Sequence, residues 1–190
     1  MRVVAGSARG KSLKAVPGMK TRPTTDKVKE SIFNIIGPYF TGGTVLDLFA
    51  GTGSLGIEAL SRGMTKAIFV DQDKLSIEII HKNLENTKLQ QFAEVYKNDY
   101  ERALKALVKR ELSFDLIFLD PPYRLKVLNK IIQYIRDNHL ITEQGIIVTE
   151  HDAKYDFTHL LEGFAIQKQV TYGDTGITIL QIEKNVVMEV

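Results

Sequence analysis

Two acid-bearing motifs in this chain have the residue types and spacing to do chemistry. The first is Val45-Leu46-Asp47-Leu48-Phe49-Ala50-Gly51-Thr52-Gly53-Ser54-Leu55-Gly56, where G-x-G-x-x-G falls as an apolar run gives way to a helical pattern. Glycines at such a junction take tight turns and let a ligand approach the backbone. Asp71 ends the next apolar run, eighteen residues after Gly53, where a carboxylate can accept both hydroxyls of a ribose. Strand, glycines, helix and acid in register point to a nucleoside-bearing ligand; the alternative is a glycine turn with no ligand. The motif does not choose between NAD and S-adenosylmethionine, since both carry an adenosine. Asp47 leans toward the second, because a carboxylate beside the loop attracts an ammonium and a sulfonium but repels a pyrophosphate. Asp99, after Asn98 at the end of the third run, can accept from an adenine amino group. It can also cap the helix that follows, and the two roles are compatible.

The second motif is Asp120-Pro121-Pro122-Tyr123, directly after the apolar run Phe114–Leu119. Two prolines remove two N–H donors and stiffen the turn, leaving carbonyls and the Asp120 carboxylate facing outward. Such a cluster of acceptors suits a planar exocyclic NH2 group. The nitrogen lone pair of an aromatic amine is delocalised into its ring and is a poor nucleophile. Hydrogen bonds from both amine protons, to Asp120 and to the Pro121 carbonyl, favour a pyramidal nitrogen and aim its lone pair at a methyl donor. Tyr123 can stack on the base, a contact worth roughly 1–3 kcal/mol. The expected reaction is direct in-line methyl transfer, driven by positioning, after which the nitrogen loses its proton to Asp120 or water. The target base must be unstacked and turned outward. The alternative for this motif is a proline turn with a packed tyrosine.

Elements must hold these groups, and the pattern supplies them. Arg2–Ala5 and Ser12–Val16 read as a hairpin with a flexible, charged tip. Thr24 to Ile36 reads as a helix capped by Thr24, Thr25 or Asp26, with Val28, Ile32 and Ile35 on one face. From Thr44 strands and helices alternate: strands at Val45–Phe49, Lys66–Val70, Phe92–Tyr96, Phe114–Leu119 and Gly145–Glu150. The helices between them are Ser54–Arg62, Lys74–Leu89 (Leu75, Ile79 and Leu84 inward), Tyr100–Arg110 and about Leu125–Asn138. Near-continuous apolar strands joined by helices predict a parallel sheet covered on both faces. Phe164–Thr171 and Ile177–Glu183 are joined by a link too short for a helix, so they pair antiparallel. The expected architecture is therefore α/β, a mostly parallel sheet with an antiparallel strand at its closing edge.

The chain has 190 residues, 44% hydrophobic, with no cysteine and a net charge of +2. It holds no apolar run of membrane-spanning length and no secretory signal pattern, so it reads as cytoplasmic. Without cysteine there is no disulfide scaffold and no Cys nucleophile, which excludes 5-methylpyrimidine chemistry of that type. Residues 1–30 carry eight basic side chains, Arg2, Arg9, Lys11 and Arg22 among them, against two acidic ones. That net +6 leaves −4 for the rest, a basic arm on a mildly acidic body, as suits a polyanion; a solvated basic face is the alternative. Arg124 and Lys126, beside the proposed pocket, are further phosphate candidates, as are Lys105, Lys109 and Arg110, although a solvated helix end explains those three. His81, His139, His151 and His159 show no metal-ligand spacing and read as surface or partly packed.

D-x-F-x-G-x-G-x-x-G followed by D-P-P-Y is similar to the amino-methyltransferases that use S-adenosylmethionine. Gly6-x-x-Arg9-Gly10-Lys11-x-Leu13, then Arg22-Pro23-Thr24-x-Asp26-x-x-Lys29-Glu30-x-x-Phe33-Asn34, and Tyr172-Gly173-Asp174-Thr175 resemble the bacterial 16S rRNA guanine-N2-methyltransferase family of the small ribosomal subunit, the D-type. Lys29 departs from it, standing where arginine is expected; it keeps the charge but not the forked donors. The resemblance implies a Rossmann-like seven-stranded methyltransferase fold over residues 41–190, preceded by a basic hairpin-and-helix extension over 1–40 that contacts RNA. It implies a monomer acting on one guanine of 16S rRNA within the 30S subunit or a late assembly intermediate. Asp47, Phe49, Gly51 and Gly53 would form the donor loop, Asp71 would hold the ribose, and Asn98 and Asp99 the adenine. Asp120, Pro121, Pro122 and Tyr123 would hold the amine, Arg22 and Thr24 would line the entrance, and Arg2, Arg9, Lys11 and Arg124 would meet RNA. Removing residues 1–22 is then expected to spare donor binding while weakening RNA binding. Rival readings are a nicotinamide oxidoreductase, which leaves D-P-P-Y unexplained, and a non-catalytic RNA-binding module. A DNA adenine-N6 or protein glutamine methyltransferase shares the D-P-P-Y chemistry.

Overall fold

The alternation of apolar strands and amphipathic helices closes into one sheet. The computed structural model describes residues 1–17, 25–122, 127–156 and 163–183. In chain order the elements are α1 (Asp26–Ile36), β1 (Thr44–Asp47), α2 (Ser54–Ser61), β2 (Lys66–Asp71), α3 (Lys74–Thr87) and β3 (Ala93–Lys97). Then come α4 (Tyr100–Lys109), β4 (Phe114–Leu119), α5 (Leu128–Asp137), β5 (Ile141–Asp152), β6 (Phe164–Tyr172) and β7 (Thr175–Ile182). Among the described residues no helix is long and apolar enough to cross a membrane.

The seven strands lie in the order β3-β2-β1-β4-β5-β7-β6. β1 pairs in parallel with both β2 and β4, so the chain winds outward from the centre in two directions. Ligands of such sheets bind outside the carboxyl ends of the strands where the winding reverses, here β1 and β4. β7, last in the chain, is antiparallel to β5 and to β6. The last strand is antiparallel, as expected; it pairs on both sides, and its hairpin partner β6 forms the edge. Gly173, at φ +62, occupies the first position of the two-residue turn between Tyr172 and Thr175, a place where tight hairpins take glycine.

Side-chain alternation divides the core into two layers. Val45, Ala67, Phe69, Leu116, Phe118 and Val148 face α1, α2 and α3, while Leu46, Ile68, Ile117 and Ile147 face α4 and α5. In α1 the buried stripe is Lys29, Ile32 and Phe33, and Ile35 is exposed, not inward. In α3, Leu75 is likewise exposed. Asp73 caps the helix by accepting the Ser76 N–H at 2.8 Å, which sets Ser76, Ile79, Ile80, Asn83, Leu84 and Thr87 inward.

The amino-terminal segment makes a single β-bridge, Arg2 to Ser12, and its tip is docked, contrary to the expected flexible tip. Glu58 of α2, fully buried, accepts the N–H groups of Val4 and Ala5 at 2.8 and 2.9 Å. Ser61 accepts the Ala8 N–H and donates to the Ala5 carbonyl. Gly6, at φ +82, lies so close to α2 that a Cβ would stand 1.8 Å from the Ser61 carbonyl oxygen. Val3, Ala8 and Leu13 join the same core layer as α1 and α2. Lys29, at the departure from the family pattern, is buried beneath this segment. Its ammonium donates to the Arg2 carbonyl at 2.6 Å and stands 3.4 Å from Glu58, whose carboxylate also accepts from Arg62 Nε at 2.7 Å.

Candidate active site

Strand alternation sets the site. Asp47 follows Val45 on the α1–α3 face of β1, Asp71 follows Phe69 on β2, Asp120 follows Phe118 beyond β4, and Glu150 follows Val148 on β5. One residue separates the members of each pair, so all four carboxylates project to the same side of the sheet at the carboxyl ends of its strands. Asp47 is in register with Phe69 and Phe118. It therefore sits one pleat, about 6.6 Å, deeper than Asp71 and Asp120, on the floor of the crevice.

Each glycine of the loop has its own task. Gly51, at φ +53, has nothing within 4 Å of the place a Cβ would take, so the backbone there borders open space. Gly53, at φ +75, is the N-cap of α2 and offers no capping side chain. Gly56 lies against the sheet, where a Cβ would stand 2.4 Å from Phe69 Cε1. Asp47 supplies the missing cap across nine residues: its carboxylate accepts the Gly56 N–H at 3.1 Å. Asp47 is 4% exposed. Burial raises its pKa to about 7, with the charge of Asp71 adding to the rise and the Gly56 N–H opposing it.

Asp71 braces the loop from the other side. Its two oxygens accept the N–H groups of Gly51, at 2.8 Å, and Asp73, at 2.9 Å. Burial lifts its proton affinity against these bonds. A carboxylate oxygen can accept two hydrogen bonds, so Asp71 retains acceptor capacity beside the loop. Asp120 is half-buried, and its pKa is pushed well above the usual carboxylate range by desolvation first, then by Glu150 and Asp47. Pro121 is buried and Pro122 exposed.

Phe49 leaves the floor on the opposite face and packs its ring against Tyr100, with centroids 5.6 Å apart. Asp99 caps α4, accepting the Arg102 N–H at 3.0 Å, and its other oxygen stands 3.3 Å from Arg102 Nε. Asn98 accepts the Asp99 N–H and donates its own backbone N–H to the Asp71 carbonyl. Arg9 and Lys11 are exposed on the docked segment, and Arg2 is paired with Asp26 through its backbone N–H and its guanidinium. Arg110 is held by two hydrogen bonds to Glu94. Tyr123, Arg124, Lys126, Arg22, Thr24 and His159 lie outside the described residues.

Sequence reasoning passed over three groups. Glu150 could have been found as the alternate residue after Val148 at a strand end. Asn83 occupies an inward position of the α3 stripe, where a polar residue signals a buried partner. His151, expected to be a surface or partly packed residue, is 2% exposed. Both of its ring nitrogens are engaged, by the Thr178 hydroxyl and the Asp152 carbonyl, each at 2.8 Å. The two Gly176–His151 neighbours fit only because Gly176 has no side chain: a Cβ would stand 2.3 Å from the His151 ring.

The arrangement is a crevice of acceptors over an open glycine turn, suited to a ligand with hydroxyls and positive charge and to an amine. The family described as "Conserved hypothetical protein 95" matches residues 1–181. A Bacillus subtilis (strain 168) protein named "Putative rRNA methyltransferase YlbH" is 52% identical over 94% of this chain and 97% of its own length. Ribosomal RNA small subunit methyltransferase D of Haemophilus influenzae is 36% identical over 79% of this chain and 78% of its own. A solved structure described as "Putative methyltransferase yhhF from Escherichia coli" superposes with a TM-score of 0.82 at 30% identity, covering 96% of this chain and 98% of that one.

Proposed function

The chain belongs to the Conserved hypothetical protein 95 family, and we propose from its site that it moves a methyl group from S-adenosylmethionine to the exocyclic N2 of a guanine in 16S rRNA. The observation that carries this reading is the carboxylate cluster: Asp47, Asp71 and Asp120 follow the α1–α3 face of the sheet at the carboxyl ends of its strands, beside the open backbone at Gly51. When bound, S-adenosylmethionine supplies an electrophilic methyl group carried on a positively charged sulfonium. Gly51 and Gly53 give it room, the remaining acceptor sites of Asp71 take the ribose hydroxyls, and Asp47 provides negative charge for the cationic end. Asn98 and Asp99 serve the adenine, with Phe49 supporting the loop from below.

Asp120 accepts one proton of the target amine as a hydrogen bond, and the Pro121 carbonyl accepts the other. The nitrogen–carbon bond forms as the sulfur–carbon bond breaks, and the surplus proton leaves the nitrogen for Asp120 or water. The raised proton affinity of Asp120 suits it to that last transfer. Tyr123 stacks on the base, Arg22 and Thr24 line the entrance, and Arg2, Arg9, Lys11 and Arg124 meet phosphates. Residues 1–40 are the RNA-contacting extension and 41–190 the catalytic part. The substrate is rRNA within the 30S subunit or a late assembly intermediate, met in the cytoplasm by a single copy of the chain.

The test is transfer of tritiated methyl groups to 30S particles from a strain lacking this enzyme, followed by mapping of the labelled base. Label on one guanine N2 is the expected result. No label on 30S, or binding of NADH in place of S-adenosylmethionine, overturns the reading.

A further inference from the structure

Asn83 of α3 is fully buried, and its carboxamide joins two parts of the chain that sequence reasoning kept separate. Its Oδ1 accepts the Lys14 N–H at 2.7 Å, and its Nδ2 donates to the Lys14 carbonyl at 3.1 Å. The second Nδ2 proton goes to the carbonyl of Thr52 at 2.9 Å. Thr52 stands between Gly51 and Gly53 in the glycine loop, and its hydroxyl points to Met1 Sδ at 4.0 Å. The amino-terminal segment thus meets the loop residue directly at Met1 and, through the Asn83 carboxamide, at one remove from Lys14.

We propose that Asn83 is a positioning residue of the donor site, whose carboxamide hangs the glycine loop on the amino-terminal segment. On the function proposed above, residues 1–17 are then part of the donor site as well as part of the RNA arm. The physical need is plain. Thr52 is flanked by glycines, which lose more conformational freedom on ordering than any other residue. A loop without the brace samples arrangements that do not bind, and the measured affinity falls by the fraction that does. The Thr52 carbonyl fixes the peptide leading into Gly53, the residue that starts α2 at φ +75. The inward stripe of α3 would accept an apolar side chain at position 83, so the carboxamide there is accounted for by these three bonds. On this reading, removing residues 1–22 weakens donor binding as well as RNA binding: the deletion takes away Lys14 and Met1 and leaves the Asn83 carboxamide with Thr52 alone.

The test uses the full chain and S-adenosylmethionine as the probe, titrated by calorimetry well below the melting temperature of each variant. Asn83→Ala is expected to raise the donor Kd about tenfold, as the part-buried Thr52 carbonyl loses its donor and the loop its brace. The donor KM should rise in parallel while kcat at saturating donor stays within about twofold of wild type, since the lost contact braces binding and not the transfer. Asn86→Ala is the matched control. Asn86 lies one turn on and donates to the Ser12 carbonyl at 2.8 Å, so it holds the same segment without touching the loop. Its removal is expected to leave the donor Kd unchanged. If Asn83→Ala fails to fold, Asn83→Ser, which can satisfy one of the two carbonyls, carries the same expectation with a smaller rise. Equal donor affinity in the Asn83 variant and wild type, or equal weakening in the Asn86 control, overturns the inference. A wild-type chain that binds no S-adenosylmethionine overturns the proposed function instead, so the two failures are distinct.

Discussion

At the scale of single residues, the site is a set of carboxylates whose placement costs stability. The Asp47 carboxyl has a pKa of about 7 in the folded chain, whereas the unfolded chain releases that proton near pH 4. Between those values the folded state holds a proton the unfolded state has lost, so stability falls as pH rises and the deficit is complete above about 7. Asp47→Asn, which keeps an acceptor for the Gly56 N–H, should be more stable than wild type by on the order of 4 kcal/mol at about pH 8. At about pH 4 the advantage should vanish; melting curves at the two pH values check this. The same residue predicts donor binding. A cationic ligand favours ionised Asp47, so binding releases a proton below pH 7. Donor affinity should then fall up to tenfold per pH unit toward acid, and calorimetry in buffers of different ionisation enthalpy should register that proton. Glu150 acts at one remove, because its charge raises the proton affinity of Asp120. Glu150→Gln should move the acidic limb of the pH–rate profile to lower pH; a limb that stays in place would show that Asp120 does not control it.

At the scale of elements, α2 ties the molecule together. Its first turn is capped by Asp47, and its last holds the amino-terminal segment through Glu58 and Ser61. Glu58→Gln removes a charge and turns one of the two oxygens that accept from Val4 and Ala5 into a donor, and it leaves the ammonium of Lys29 and the guanidinium of Arg62 buried with less compensation. Such a change costs about 3 kcal/mol, which lowers the melting temperature by about 6–12 °C in a chain of this size. Burial already lowers the pKa of Lys29 while Glu58 and Asp26 hold it up. Its folded-state pKa therefore falls further in the variant, and the loss of stability should be smaller at alkaline than at neutral pH. Much of this scaffold was legible because it is local. The glycine turn, the acids at strand ends and the cap at Thr25 each follow from a few neighbouring residues. The docking of the amino-terminal segment was not, because Glu58 grips the backbone of Val4 and Ala5 across more than fifty residues and hydrophobic periodicity carries no such signal. The place of β7 inside the sheet is also a long-range choice between two possible neighbours. The outward turn of Leu75 followed from a helix phase set by the Asp73 cap, which apolar spacing alone misjudged.

At the scale of the whole molecule, the proposed function gives the basic extension and the acidic site separate tasks in recognition, and salt dependence tells them apart. Phosphate neutralisation releases counterions and makes binding depend on salt, while contacts to the base and the donor do not. Arg9 and Lys11 are exposed on the docked segment, and neither side chain takes part in the backbone bonds that seat it on α2. Replacing both with glutamine should therefore leave the melting temperature and the donor Kd unchanged. The slope of log affinity for rRNA against log salt should become shallower by roughly 1.4–1.8, the value for two phosphate contacts. The comparison with Asn83→Ala is what separates the two tasks proposed for residues 1–17. Loss of side-chain charge should weaken RNA binding alone, whereas loss of the buried carboxamide should weaken donor binding at constant salt slope. An unchanged slope in the Arg9→Gln, Lys11→Gln chain would place the RNA on another face. The segment would then be a brace for the glycine loop whose positive charge serves only solvation.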